Sequence, residues 1–113
     1  MSYSATNEYR FWRLLRDKLR RDFHTTRIES VVSVGVPDVY FSSKNGSGDG
    51  WLELKVVHGT KVHFEKAQVS WIKQHAKTTT RIGILALKSM ARGQKTIYLW
   101  DGSWRGHYWA GTV

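Results

Sequence analysis

The sequence predicts an α/β chain of the α+β kind: a mixed sheet in the order αβββαβ, flanked by two helices, with an extra C-terminal β-hairpin. Three patterns point there. Val36–Phe41 and Trp51–Val57 alternate with period two on either side of a polar, glycine-rich link, as paired half-buried strands do. Two amphipathic stretches, about 7–23 and 64–77, have helical spacing. Arg81–Lys88 is a nearly continuous apolar run, which marks a strand covered on both faces.

In the first helix Trp12, Leu15 and Leu19 recur at three- and four-residue spacing, and Phe11 and Leu14 widen the stripe. Arg10, Arg13, Arg16, Lys18, Arg20 and Arg21 dominate the rest of its surface, with Asp17 alone against them. That face is either a solvated surface or a phosphate-contacting one. Glu8 lies one turn before Trp12 and is expected to point inward. With Thr6 as N-cap, an acid in the first turn complements the helix dipole.

Thr26–Val34 is the expected first strand, and Gly35 the tight turn that makes it antiparallel to the next. Pro37 has no N–H to give a ladder and marks an edge or a distortion, just before Asp38. Ser42–Gly50 is too polar and glycine-rich to be anything but a loop. If it closes a regular hairpin, partner numbers sum to 91, setting Tyr40 opposite Trp51 and Asp38 opposite Glu53. Leu52, Leu54 and Val56 then face one way, and Trp51, Glu53, Lys55 and Val57 the other.

Opposed strand residues have Cβ atoms roughly 4.5–5.5 Å apart, and two carboxylates held there need a proton or a cation between them. Oxygen ligands of this kind suit Mg²⁺, with Mn²⁺ as a substitute, completed by water and substrate phosphate. Lys55, on the same face, is placed to polarise water or offset charge on a phosphate. In outline this is a phosphodiester-cleavage site.

Pro37-Asp38 followed by Glu53-Leu54-Lys55 resembles the signature of the PD-(D/E)xK nuclease superfamily. Ser33 to Asp38, the Glu53-Leu54-Lys55 triplet and a helix carrying Gln68 are similar to the small phage-type VRR-NUC nucleases and to archaeal-type Holliday junction resolvases. The likeness covers about residues 7–88 and implies a restriction-endonuclease-like core. It implies Asp38 and Glu53 as metal ligands, the Leu54 carbonyl as a third oxygen, and Glu8 as an outer ligand. It also implies Lys55 as the catalytic lysine, Gln68 close to it, and Ser33 near the scissile phosphate; a serine there also suits a plain turn.

His58 and His63 lie in a short basic connection and have no third ligand in register, so exposed histidines near phosphate are expected. In the second helix Phe64, Ala67, Trp71 and Ile72 form the apolar stripe, with Lys66, Ser70, Lys73 and Lys77 opposite. Gln68 falls within the stripe, and a buried amide must find partners. Strand, helix and strand in succession imply a crossover that sets Arg81–Lys88 parallel to the strand of Glu53. Ser89–Lys95 is a basic loop, Thr96–Trp100 a further strand, and Asp101-Gly102 a hairpin signal. The ribbon of about 96–109 carries Tyr98, Trp100, Trp104, Tyr108 and Trp109, for core, subunit interface or base stacking.

A chain of 113 residues makes one domain. Eighteen Lys and Arg against nine acids give a net charge of +9, the footprint of a nucleic-acid binder. Zero cysteines exclude disulfides and thiolate metal sites and suit a cytoplasmic protein, in a host cell if the source is viral. No apolar run has the length of a membrane span, and no signal-peptide pattern is visible.

The sequence therefore predicts a Mg²⁺-dependent DNA endonuclease acting on branched DNA such as Holliday junctions, as a homodimer. Asp38, Glu53, Lys55, Gln68 and Glu8 would make its site, and Arg10, Arg13, Arg16, Arg20, Ser33, Lys66 and Lys73 its DNA contacts. The alternatives are a non-catalytic basic DNA-binding module and a protein whose basic face simply neutralises nucleic acid.

Overall fold

Helix α1 (Tyr3–Leu19) lays Phe11, Trp12 and Leu15 on one face of a six-stranded sheet and turns its arginines to solvent. The computed structural model describes residues 3–28, 35–57, 59, 61–76, 81–89, 91–102 and 107–112. After α1 come β1 (Phe23–Arg27), β2 (Val39–Ser43), β3 (Asp49–Val56), α2 (Lys66–Ala76), β4 (Arg81–Ser89), a short 3-10 turn, β5 (Lys95–Asp101) and β6 (His107–Thr112). Spatial order in the sheet equals chain order. All neighbours are antiparallel except β3 and β4, whose parallel pairing is bridged by α2. The mixed α+β fold is the expected one.

The two faces of β3 and β4 divide the core. Leu52, Leu54, Leu85 and Leu87 pack with Phe11, Trp12, Leu15, Val39 and Ile97 on the α1 side. Ile82 and Ile84 pack with Ile72 of α2 on the other, joined by Trp51, Phe64, Trp71 and Trp100. With a helix on each side, β4 has no polar face to keep, hence its continuous apolar run.

The hairpin register is as read from the loop: Val39 pairs with Leu52, Tyr40 with Trp51, Phe41 with Gly50 and Ser42 with Asp49. Tyr40 and Trp51 meet edge to face, their ring centroids 5.4 Å apart, and Trp51 continues to Trp71 at 5.6 Å.

Several boundaries differ from expectation. Strand β2 runs to Ser43 and β3 starts at Asp49, so both ends of the expected Ser42–Gly50 loop are strand. Asp101 belongs to β5 and β6 starts at His107, so Asp101-Gly102 is not a two-residue hairpin turn. Helix α1 starts at Tyr3, not Asn7, so Thr6 lies inside it and Glu8 falls beyond its first turn. The helix also stops at Leu19, because Phe23 is taken by the sheet, pairing with Ser43 and meeting the Phe41 ring at 5.9 Å. The first strand is Phe23–Arg27 rather than Thr26–Val34; residues 29–34 lie outside the described set. Its partners run from Phe23·Ser43 to Arg27·Val39, and Ile28 N–H still reaches the Asp38 carbonyl at 2.6 Å. Gly35, the expected tight turn, lies in a turn, and the strand expected ahead of it falls largely on residues 29–34, outside the described set. Gly35 has φ +89°, and a Cβ there would stand 2.2 Å from the Ala67 carbonyl oxygen, so glycine is needed where the chain presses on the start of α2. Helix α2 begins at Lys66, not residue 64, which leaves Phe64 and Glu65 ahead of it.

Candidate active site

Pro37 is fully buried, and Asp38 follows it in a bend just ahead of β2. The β2–β3 ladder ends at Val39·Leu52. Two residues further along β3, the Leu54 N–H donates to Asp38 Oδ2 at 2.9 Å. The Asp38 side chain thus supplies the partner that the ladder no longer offers, and this fixes the carboxylate against β3. In an extended strand the N–H and C=O of one residue point to the same edge. The Leu54 carbonyl is accordingly turned toward the Asp38 side.

Glu53 and Lys55 project from β3 on the α2 face. Glu53 is 1% exposed and Lys55 8%. Gln68 joins them: its Nε2 donates to Glu53 Oε1 at 3.0 Å, and its Oε1 accepts Lys55 Nζ at 2.7 Å. The same Oε1 accepts the Glu65 N–H at 3.0 Å. Glu65 precedes α2, so Gln68 is its third helical residue reaching back to the N-cap N–H, one half of a capping box. The helix start thereby orients the amide, and the amide orients the lysine. Lys55 Nζ also lies 3.8 Å from Glu53 Oε1 and 4.8 Å from the centroid of the Phe64 ring.

Glu53 Oε2 is buried and takes no hydrogen bond from a donor among the described residues, while the Asp38 carboxyl lies close enough to share a proton with Glu53. Burial, then the neighbouring Asp38 carboxylate, push the Glu53 carboxyl up to about 9, against the lowering pull of Lys55. Glu8 adds a smaller upward push, which brings α1 electrostatically into the site. Because Glu8 lies beyond the first turn, the helix-dipole account of it weakens.

These residues fit a divalent cation in one specific respect: a buried carboxylate oxygen without a donor, beside a second carboxylate, is what a cation would satisfy. Among the described residues no cluster of three or more His, Cys, Asp or Glu could hold an ion. The oxygens that an ion would meet here are two carboxylates and a backbone carbonyl, and Mg²⁺ is usually held by one or two carboxylates.

The chain has a resolvase-like, restriction-endonuclease-like fold. It is similar to a solved structure, the Holliday junction resolvase Hjc of the archaeal hyperthermophile Archaeoglobus fulgidus, with a TM-score of 0.64 over 93% of this chain and 86% of that one. At 15% identity the likeness concerns the fold alone. No family model matches the chain, and no curated protein matches it.

The resolvase-like fold thus brings together Asp38, Glu53, Lys55 and Gln68, with Glu8 acting on Glu53 from α1. The expected DNA contacts are more dispersed. Arg10, Arg13 and Arg16 are exposed on α1 and Arg20 in the turn just after it, and Lys66 and Lys73 on α2, which lies on the opposite face of the sheet. Arg16 Nε lies 3.4 Å from the Asp17 carboxylate. Ser33, His58 and Trp104 lie outside the described residues. His63 is exposed and stands 3.2 Å from Glu65 Oε1. Sequence reasoning missed two things: the cap that holds Gln68 and the Phe64 ring beside Lys55. The signal for the first was a Glu-x-x-Gln spacing at the helix start, whose capping meaning needs the start placed at Lys66.

Proposed function

We propose that this chain is a Mg²⁺-dependent, structure-selective DNA endonuclease that hydrolyses phosphodiester bonds, with branched DNA such as Holliday junctions as its substrate class. The observation that carries this reading is the buried Glu53 with an oxygen that lacks a donor, next to Asp38 and tied through Gln68 to Lys55. A module that only binds DNA gains nothing from an acidic pocket that repels phosphate. Among the described residues no helix is long and apolar enough to cross a membrane.

Asp38, Glu53 and the Leu54 carbonyl would hold the ion, with Glu8 an outer ligand; Mn²⁺ would serve in its place. The bound ion would supply a lowered pKa for water and polarisation of the phosphoryl oxygen. Lys55 directs its ammonium at the attacking water and offsets negative charge on the phosphorane. Gln68, fixed by its cap on α2, holds Lys55 in place. The exposed arginines of α1 and lysines of α2 supply phosphate contacts and a charge that draws in polyanions.

Two coupled cuts in a junction need two sites, which a twofold homodimer provides. Trp104, Tyr108 and Trp109 are its proposed contact; Trp100, expected with them, partly packs on Ile72, Ile82 and Ile84 instead. A second reading, a non-catalytic DNA-binding module, draws on the lack of a three-ligand side-chain cluster among the described residues. Incubating purified protein with end-labelled junctions, flaps and duplexes in Mg²⁺ separates the two. Cleavage lost on chelation supports the enzyme; binding without any strand scission supports the module.

A further inference from the structure

The face that carries Glu53 and Lys55 continues across β4 into β5. Register sets Ile84 beside Glu53 and Trp100 beside Ile84; it sets Ala86 beside Lys55 and Tyr98 beside Ala86. Neighbouring strands are ~4.8 Å apart, so Tyr98 and Trp100 stand two strands, about 10 Å, from the candidate site. Their rings stack with centroids 5.8 Å apart and planes 26° from parallel, and both residues keep part of their surface open.

Two adjoining clefts meet at Trp100. One, of about 90 Å³, lies between Val62, Phe64, Ile84 and Trp100. The other, of about 180 Å³, lies between Val57, Val62, Lys88, Tyr98 and Trp100. Phe64 walls the first and has the Lys55 ammonium 4.8 Å from its ring centroid, so the apolar floor starts where the candidate site ends. Ala86 lies between Lys55 and Tyr98 in register and is fully buried. Lys88 thus lines one end of a trough of aromatic and branched side chains, and Lys55 lies against the Phe64 ring at the other.

A flat group with apolar faces and a phosphate on either side fits that combination. We propose that the Tyr98–Trp100 trough takes an unpaired base of the DNA strand, so that the protein prefers DNA with an unstacked nucleotide beside the cut. A base within continuous duplex is already stacked on both faces and cannot enter. The placement of a phosphate at Lys55 rests on the nuclease reading; the stacking itself does not. Within branched DNA the preference accordingly goes to branches at which a nucleotide is unpaired or opens from its stack.

The test is equilibrium binding, by anisotropy in EDTA, of three labelled duplexes: one with a single bulged 2-aminopurine, one with an abasic site at the bulge, and one fully paired. The wild-type protein is expected to bind the bulged base roughly 5- to 150-fold more tightly than the abasic bulge, the range for stacking one base on an aromatic side chain. The 2-aminopurine emission should be quenched on binding. Tyr98→Leu with Trp100→Leu should remove both the preference and the quenching while leaving affinity for the paired duplex unchanged, and Tyr98→Phe with Trp100→Phe should restore them. Equal affinity of the wild-type protein for base and abasic bulges, with unchanged emission, would overturn the proposal whatever the variants do. A preference for the base without any cleavage in Mg²⁺ supports the trough and removes the nuclease reading. Cleavage without such a preference removes the trough alone.

Discussion

Gln68 receives the Lys55 ammonium on its side-chain oxygen at 2.7 Å while that oxygen also accepts the N-cap N–H of α2. One amide therefore links the start of a helix to the base of the candidate site. Replacing Gln68 with Leu should cost about 1–3 kcal/mol in urea unfolding, the penalty of leaving buried polar partners unmade. It should also lower cleavage at least tenfold with DNA affinity unchanged. A variant as stable and as active as the wild type would detach Gln68 from both roles.

The raised Glu53 carboxyl gives the metal-free protein a defined pH response. Between 4.5, its ordinary value, and about 9 the folded state keeps a proton that the unfolded chain has released. Stability from this group is therefore fully present below about 4.5 and is lost as pH rises through about 9. Melting temperatures measured in EDTA from pH 5 to 9.5 should fall with pH in the wild type and much less in Glu53→Gln. The variant should be the more stable of the two at the alkaline end. Parallel curves would mean that Glu53 ionises normally.

Salt dependence separates the two basic faces. Arg13→Gln, Arg16→Gln and Arg20→Gln together should weaken binding regardless of sequence and flatten the plot of log affinity against log salt, by about 0.9 for each duplex phosphate that the protein no longer neutralises. Lys66→Gln with Lys73→Gln, on the opposite face of the sheet, should flatten it independently. If only one set of variants changes the slope, DNA lies along that face alone.

Assembly is testable in solution. Light scattering at micromolar protein should give a dimer, and Trp104→Ala with Trp109→Ala should lower the mass and uncouple paired junction cuts into single nicks. A wild-type monomer, free and DNA-bound, that still makes paired cuts would remove the dimer from the account.

Much of the fold was legible because it rests on strict periodicities. A short polar loop leaves the β2–β3 hairpin one regular register, and the alternation along β3 assigns its two faces. The continuous apolar run of β4 announced a strand between two layers. Polar strands and helix ends were less legible. Strand β1 reads Phe-His-Thr-Thr-Arg, with little apolar contrast, and the valines at 31, 32 and 34 drew the expected strand forward. The start of α1 carries no acid in its first turn to mark it.

The carboxylates and lysine of the candidate site were visible as a motif with strand context. What the pattern could not convey was long-range: the Asp38 side chain completing the Leu54 N–H, and Phe64 leaving the helix to lie beside Lys55. The shared face of Tyr98 and Trp100 with Glu53 depends on the register of two further strands. Such relations form only when separate segments pair.

The central claim is that Asp38, Glu53 and Lys55 form a metal-dependent cleavage site, and the most direct measurement is strand scission of an end-labelled branched junction by the wild type, Asp38→Asn and Lys55→Ala. In Mg²⁺ or Mn²⁺ the wild type should cut, and each variant should lose most of that activity while still shifting the junction in a gel. In Ca²⁺ the wild type should bind without cutting. Cleavage that survives EDTA, or full activity in both variants, would contradict the account.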